Sequence, residues 1–254
     1  MKQCRTLAEA LDIGRGEIVA FVGGGGKTGA ILRLVEELRD AEWRVVATTT
    51  TRVGRSIESA LVVSEAAGRN WRGGLAAEME RRGAVFLAAG TSGDGKLRGI
   101  DPALVDSRLA SLADVVLIEA DGSRQMPIKA PAEHEPVIPD STTLVVPMVG
   151  LDALGRGIRA PEVHRPELLR AVTGHKIVTT EAVARLITSA EGSLKAVPSR
   201  ARIRPILNKV CPDSRETATR IAEAVLDAGP ASLDRVIIAD VASCAFAYVT
   251  RSGG

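Results

Sequence analysis

The chain has 254 residues, 33 basic against 31 acidic for a formal net charge of +2, and 45% hydrophobic content, with a mean hydropathy of +0.11. These values exclude a disordered chain and a polycation built to neutralise nucleic acid, and an aromatic share of 2% leaves no platform for stacking single-stranded bases. No run reaches membrane-spanning length, the start Met1-Lys2-Gln3-Cys4 has no apolar leader core, and three distant cysteines (Cys4, Cys211, Cys244) form neither a disulfide framework nor a metal knuckle, so a cytoplasmic protein without membrane or nucleic-acid partners is expected.

Along the chain, apolar runs alternate with helical patterns. Strands are predicted at Ile18–Val22, Arg44–Ala47, Ala60–Val63, Ala84–Ala88, Val115–Glu119, Leu144–Pro147, Ile203–Leu207 and Val236–Ala239. Helices are predicted at Lys27–Asp40, Asn70–Arg82, Pro102–Leu112, Pro166–Thr173, Thr180–Thr188 and Ser214–Ala228, the last stopped by Gly229-Pro230. Near-continuous apolar strands between helices predict an α/β fold: three layers around a mostly parallel sheet. With no linker or repeat in view, residues 1–254 are read as one domain.

The most informative stretch is Phe21-Val22-Gly23-Gly24-Gly25-Gly26-Lys27-Thr28, between the first predicted strand and the first predicted helix. Glycines let a backbone turn tightly and aim its N–H groups at an anion, and a helix start adds unpaired amides and the positive end of its dipole. Lys27 would reach the β/γ-phosphates and the Thr28 hydroxyl would ligate Mg²⁺, which makes the expected fold P-loop NTPase-like. The long form of the motif would place glycine where Phe21 stands; the fit is to a shorter G-x-x-G-K-T led by Gly23. The shorter loop resembles that of Mur-type ligases.

Other constellations fall at predicted strand ends, where open sheets bind ligands. Val115–Glu119 runs into Ala120-Asp121, and Glu119 and Asp121 share a face by the period of two, as candidate Mg²⁺ ligands. Thr48-Thr49-Thr50-Thr51-Arg52 offers hydroxyls and a guanidinium, with Thr49 and Arg52 as candidate ligand contacts, although threonine also simply suits strands. Asn208-Lys209 follows another apolar run and suggests base recognition of the Asn-Lys-x-Asp kind; Cys211 occupies the aspartate's place, so ATP and GTP both stay open. A proline-stiffened loop carries Lys129, Glu133 and His134, with Lys129 as a transition-state cation and Glu133 or His134 as a base.

Taken together, the glycine loop, the Thr-Thr-Thr-Thr-Arg strand end, Glu119-Ala-Asp-Gly-Ser-Arg124 with Pro127-Ile-Lys-Ala-Pro131 and His134-Glu-Pro-Val-Ile-Pro139, then Val149-Gly-Leu-Asp-Ala-Leu-Gly155, His164-Arg-Pro-Glu and Leu207-Asn-Lys-Val, resemble the YqeC family. The resemblance implies an accessory role in maturing selenium-dependent molybdenum hydroxylases, with such an enzyme or its cofactor-maturation proteins as partners. The leading expectation is a Mg²⁺-dependent NTPase. Phosphates would be held by Gly23, Gly24, Gly25, Gly26 and Lys27, and metal by Thr28, Glu119 and Asp121. Lys27, Asp121 and Lys129 would act in phosphoryl chemistry. Two alternatives stand beside it: a Mur-ligase-like ligase or kinase acting on a small anionic substrate, and a nucleotide-gated chaperone for cofactor or apo-enzyme.

Overall fold

In the computed structural model the described residues are 1–54, 63–65, 71–107 and 109–251. In chain order they form β1 (Lys2–Cys4), α1 (Leu7–Leu11), β2 (Glu17–Gly23), α2 (Lys27–Asp40), β3 (Val45–Thr49), β4 (Arg52–Val53), β5 (Val63–Glu65), α3 (Trp71–Arg82), β6 (Ala84–Ala88) and β7 (Leu97–Arg98). There follow α4 (Pro102–Ser107), β8 (Val115–Glu119), β9 (Leu144–Gly150), α5 (Pro166–Thr173), α6 (Thr180–Thr188), β10 (Arg202–Ile203), β11 (Ile206–Asn208), α7 (Arg215–Ala228), β12 (Arg235–Asp240) and β13 (Ala245–Thr250). The fold is α/β, with a mostly parallel mixed sheet between helices.

The main sheet runs β1-β13-β12-β11-β9-β2-β8-β3-β6-β5, and β10 pairs with β9 off that path. From β12 to β5 every pairing is parallel; β13 and β1 close one edge antiparallel. Alternate residues of each central strand feed different layers. Val19 and Phe21 pack with α1 and α2 on one face. Ile18, Ala20 and Val22 pack with α3 and α4 on the other, where α5, α6 and α7 cover Val149, Leu207 and Ile238. Both faces of β2, β3, β8 and β9 are therefore buried, which is why those runs read as continuous apolar segments. No helix among the described residues is long and apolar enough to cross a membrane.

Several boundaries differ from the expected ones for visible reasons. The run Ile203–Leu207 is two strands, because Arg204 turns its side chain to Asp12 and Asp234 and Pro205 has no N–H for a ladder. The expected helix Pro102–Leu112 ends at Ser107, with a 3-10 turn at Leu109–Ser111. Of the expected strand Ala60–Val63 only Val63 is described, in β5, and Asn70 of the expected helix Asn70–Arg82 likewise lies outside the described residues. The helix α1, whose Thr6 side chain accepts from Glu9 N, and the short strands β1, β4, β7 and β13 are additions to the expected elements. The parallel order puts the carboxyl ends of β2, β3, β8, β9 and β11 on one edge, and the candidate residues gather there.

Candidate functional site

At the end of β2 the four glycines make the turn that only glycine makes cheaply. Gly23, Gly25 and Gly26 have φ of +93°, +85° and +118°, conformations that cost an L-residue about 1–2 kcal/mol. Space is as restrictive as conformation: a Cβ on Gly25 would lie 2.1 Å from Gly150 N, and one on Gly24 would lie 2.7 Å from Met126 O. The loop is clamped by neighbouring backbone. Gly24 N donates to Met148 O and Gly25 N to Met126 O, both at 3.0 Å. Gly23 N donates to Asp121 Oδ2 at 2.9 Å.

The loop amides therefore divide into two groups. Those of Gly23, Gly24 and Gly25 are used internally. Those of Gly26, Lys27 and Thr28 have no hydrogen-bond acceptor among the described residues, and α2 begins at Lys27 with no side chain capping it. The free amides thus lie at the last glycine and the first residues of α2 rather than evenly over the four glycines. An uncapped helix start with free amides favours a negative group.

Behind these amides lies a buried chain of alternating charge. Lys27 Nζ donates to Gly23 O at 2.5 Å and lies 3.1 Å from Asp121 Oδ1. Asp121 Oδ2 is 2.9 Å from Lys129 Nζ, which is 2.5 Å from Glu135 Oε2. Arg165 completes the chain with two bonds to the Glu135 carboxylate. Burying each ion alone would cost several kcal/mol, and alternation offsets that cost. Burial by itself would push the Glu135 carboxyl up, but the hydrogen bonds from Arg165 and Lys129 and their charges hold it at about 2.

Asp121, expected as a metal ligand, spends both oxygens on the two lysines and the Gly23 amide. Glu119 is the better-placed acid. Its Oε2 accepts from Thr28 Oγ1 at 2.8 Å, and burial pushes its carboxyl above the usual range despite the opposing charge of Lys27. A buried carboxylate beside a threonine hydroxyl, next to free amides, is a hard-oxygen donor set that suits Mg²⁺ completed by phosphate and water. No group of three or more His, Cys, Asp or Glu among the described residues could hold a metal unaided.

The other expected residues take defined places. Thr49 is buried, and its hydroxyl donates to Glu119 O at 2.9 Å, so it positions the acid's strand. Arg52 is exposed and lines a separate cleft. Asn208 is buried: its amide donates to Gly25 O at 2.8 Å and its carbonyl accepts from Val241 N at 3.1 Å, tying the glycine loop to the end of β12. Lys209 pairs with Asp152 at 2.9 Å. Both border a hollow of about 360 Å³ formed with Gly29, Arg33, Asp240 and Val241, beside the first turns of α2. Glu133 and His134 are exposed, whereas Glu135 is the buried acid of that loop. Glu135, Arg165 and Gly150 stand in stretches that the sequence singles out, but the pairing of Arg165 with Glu135 and the approach of Gly150 to Gly25 leave no spacing signature.

Comparison with known proteins adds two findings. The family described as "YqeC protein" matches residues 19–167. The chain is also 33% identical over 205 residues to "Uncharacterized protein YqeC" of Escherichia coli (strain K12), spanning 77% of this chain and 78% of that relative.

Proposed function

Starting from the fact that the chain belongs to the YqeC family, we propose that it is a Mg²⁺-dependent, P-loop NTPase-like protein that binds ATP or GTP and acts as an NTP hydrolase or phosphoryl transferase. The family resemblance supports its place as a maturation factor for selenium-dependent molybdenum hydroxylases. The single observation that carries the nucleotide reading is the junction of β2 and α2: three free amides at Gly26–Thr28, a buried Lys27, and Thr28 bonded to Glu119.

In this reading the amides of Gly26, Lys27 and Thr28 receive phosphate oxygens, and Lys27 exchanges Gly23 O and Asp121 for the terminal phosphates. Thr28 and Glu119 would hold Mg²⁺, which supplies charge neutralisation on the phosphates when bound. Asp121 fixes the Gly23 amide and restrains Lys27. Lys129, buried between Asp121 and Glu135, sets the field behind the phosphates. Asn208 braces the loop from the side of the hollow, where the base would lie against Gly29 and Lys209.

Calorimetric titration of the native protein and of Lys27→Ala with Mg·ATP and Mg·GTP tests this reading. Binding of one nucleotide, lost in the variant, is expected and identifies the base. Failure of a folded native protein to bind either would overturn it.

A further inference from the structure

Beyond the ends of β3 and β8 lies a cleft of about 570 Å³ whose walls carry Arg52, Arg98, Arg124, Arg165, His134 and His164. We propose that it binds a small polyanion with at least two phosphate or carboxylate groups. Its volume falls in the range of small-molecule sites, roughly 300–1,000 Å³.

Charge imbalance is the first argument. Four guanidiniums face the cleft and Glu135 is the carboxylate in its wall, already committed to Lys129 and Arg165. Arg52, Arg98 and Arg124 have no ion-pair partner among the described residues, although the chain as a whole is nearly neutral. Single exposed arginines without an ion pair among the described residues occur elsewhere, as at Arg39 and Arg220, but at this cleft three converge beside Arg165.

The second argument is register. The β4–β7 ribbon sets Arg52 directly opposite Arg98. Like charges opposed across a ladder are destabilising, and among the described residues no acid pairs with either; an anion between them would remove the repulsion. Arg98 is further oriented by its bond to Ala89 O at 3.1 Å.

The third is the backbone. Arg124 and Arg165 hold φ of +50° and +54°, at a cost of about 1–3 kcal/mol each where such strain serves a site. The bridge between Lys129 and His164 brings Arg165 and His164 onto the cleft from a distant part of the chain.

Thr50 and Thr51 reach the same cleft, and Thr51 N donates to Thr49 Oγ1, which in turn donates to Glu119 O. The cleft wall is thereby bonded to the backbone of the strand that carries the acid assigned to Mg²⁺. That the ligand is a second substrate of the nucleotide rests on the proposed function; that the cleft takes a polyanion does not.

Titrating the protein, freed of metal on a chelating resin and kept in metal-free buffer, with inorganic pyrophosphate and with citrate separates these claims. We expect a cleft site for one ion per chain that persists in Lys27→Ala and is weakened by about tenfold or more in the double variant R52A/R98A and in R124A; any second pyrophosphate, held at the glycine loop, is the component that Lys27→Ala removes. All three arginines are exposed, so circular dichroism should report intact folds. Preference for pyrophosphate over citrate, or the reverse, distinguishes a phosphorylated from a carboxylated ligand. Loss in Lys27→Ala with retention in the arginine variants would overturn the proposal, as would no binding of either ion. So would capture of a single-stranded oligonucleotide in place of both. Retained polyanion binding with no nucleotide binding would sink the nucleotide reading alone.

Discussion

Lys27 Nζ lies 3.1 Å from Asp121 Oδ1, and both side chains are only 2% exposed. The lysine that would meet phosphate, the first residue of α2, is thus folded back onto Gly23 O at the end of β2 and onto the Asp121 carboxylate. Asp121 and Glu119, two residues apart, are given different work by this arrangement, and their variants should separate. Glu119→Gln should abolish the gain in nucleotide affinity that Mg²⁺ brings. Asp121→Asn should weaken binding equally with Mg²⁺ and with EDTA, and lower stability by about 3–5 kcal/mol by leaving two buried lysines under-compensated. Calorimetry in both buffers, with urea unfolding, checks the pair; identical behaviour of the two variants would refute the division.

Glycine substitutions should differ by position. Gly25→Ala combines φ +85° with a Cβ 2.1 Å from Gly150 N, so a loss of about 3 kcal/mol or more is expected. Gly74, within α3, has nothing within 4 Å of an added Cβ, and Gly74→Ala should stabilise by about 0.5–1 kcal/mol. Denaturant midpoints of the two variants give the comparison.

Asn208 spends its amide and its carbonyl on Gly25 O and Val241 N. Asn208→Ala should cost about 1–3 kcal/mol in stability through those unsatisfied groups and weaken ATP and GTP by the same factor. A change in their ratio would mean that Asn208 reads the base directly.

The Glu135 carboxyl is held at about 2, below its ordinary 4.5. A depressed folded value means the ionised group contributes stability that is complete above about pH 4.5 and is lost as pH falls toward 2. Urea midpoints of the native protein should therefore decline through that window, and Glu135→Gln should start less stable and decline less steeply. Parallel curves would contradict the assignment.

His164 is held below its ordinary 6.5, first by burial and then by Arg165, Lys129 and Arg124, with Glu135 opposing. His134 also faces the cleft. A bound polyanion reverses the local field, so it should raise the imidazole and draw a proton in. The ratio of pyrophosphate affinity in the native protein to that in His164→Asn should then rise as pH falls from 8 to 6, the ratio cancelling the ligand's own protonation; a ratio constant with pH would contradict the assignment.

Much of the fold was legible because the buried parallel strands write themselves as apolar runs and α2, α5 and α6 carry caps or breakers at their ends: those three helices match their expected bounds. Strand ends near Lys27, Thr28, Thr49, Glu119, Asp121 and Asn208 were legible for the same reason, since a polar residue closing an apolar run marks the edge where ligands gather. Division of labour among them was not. Whether Asp121 meets a metal or two lysines depends on Lys129, over a hundred residues from Lys27 in sequence, and on the turn that buries it. Short strands such as β4 and β7 carry too few residues to show a period, so the opposition of Arg52 and Arg98 exists only in the folded register.

The Gly24 and Gly25 amides donate to the backbone carbonyls of Met148 and Met126 rather than to their side chains, and the bare backbone of Gly150 lies against Gly25. Positions 126 and 148 are therefore open to exchange for other apolar residues of similar volume, while the geometry they impose on the loop persists. An engineer could recut those walls and keep the loop itself, provided that the glycines stay and that Asp121 and Asn208, whose side chains bond to them, stay too.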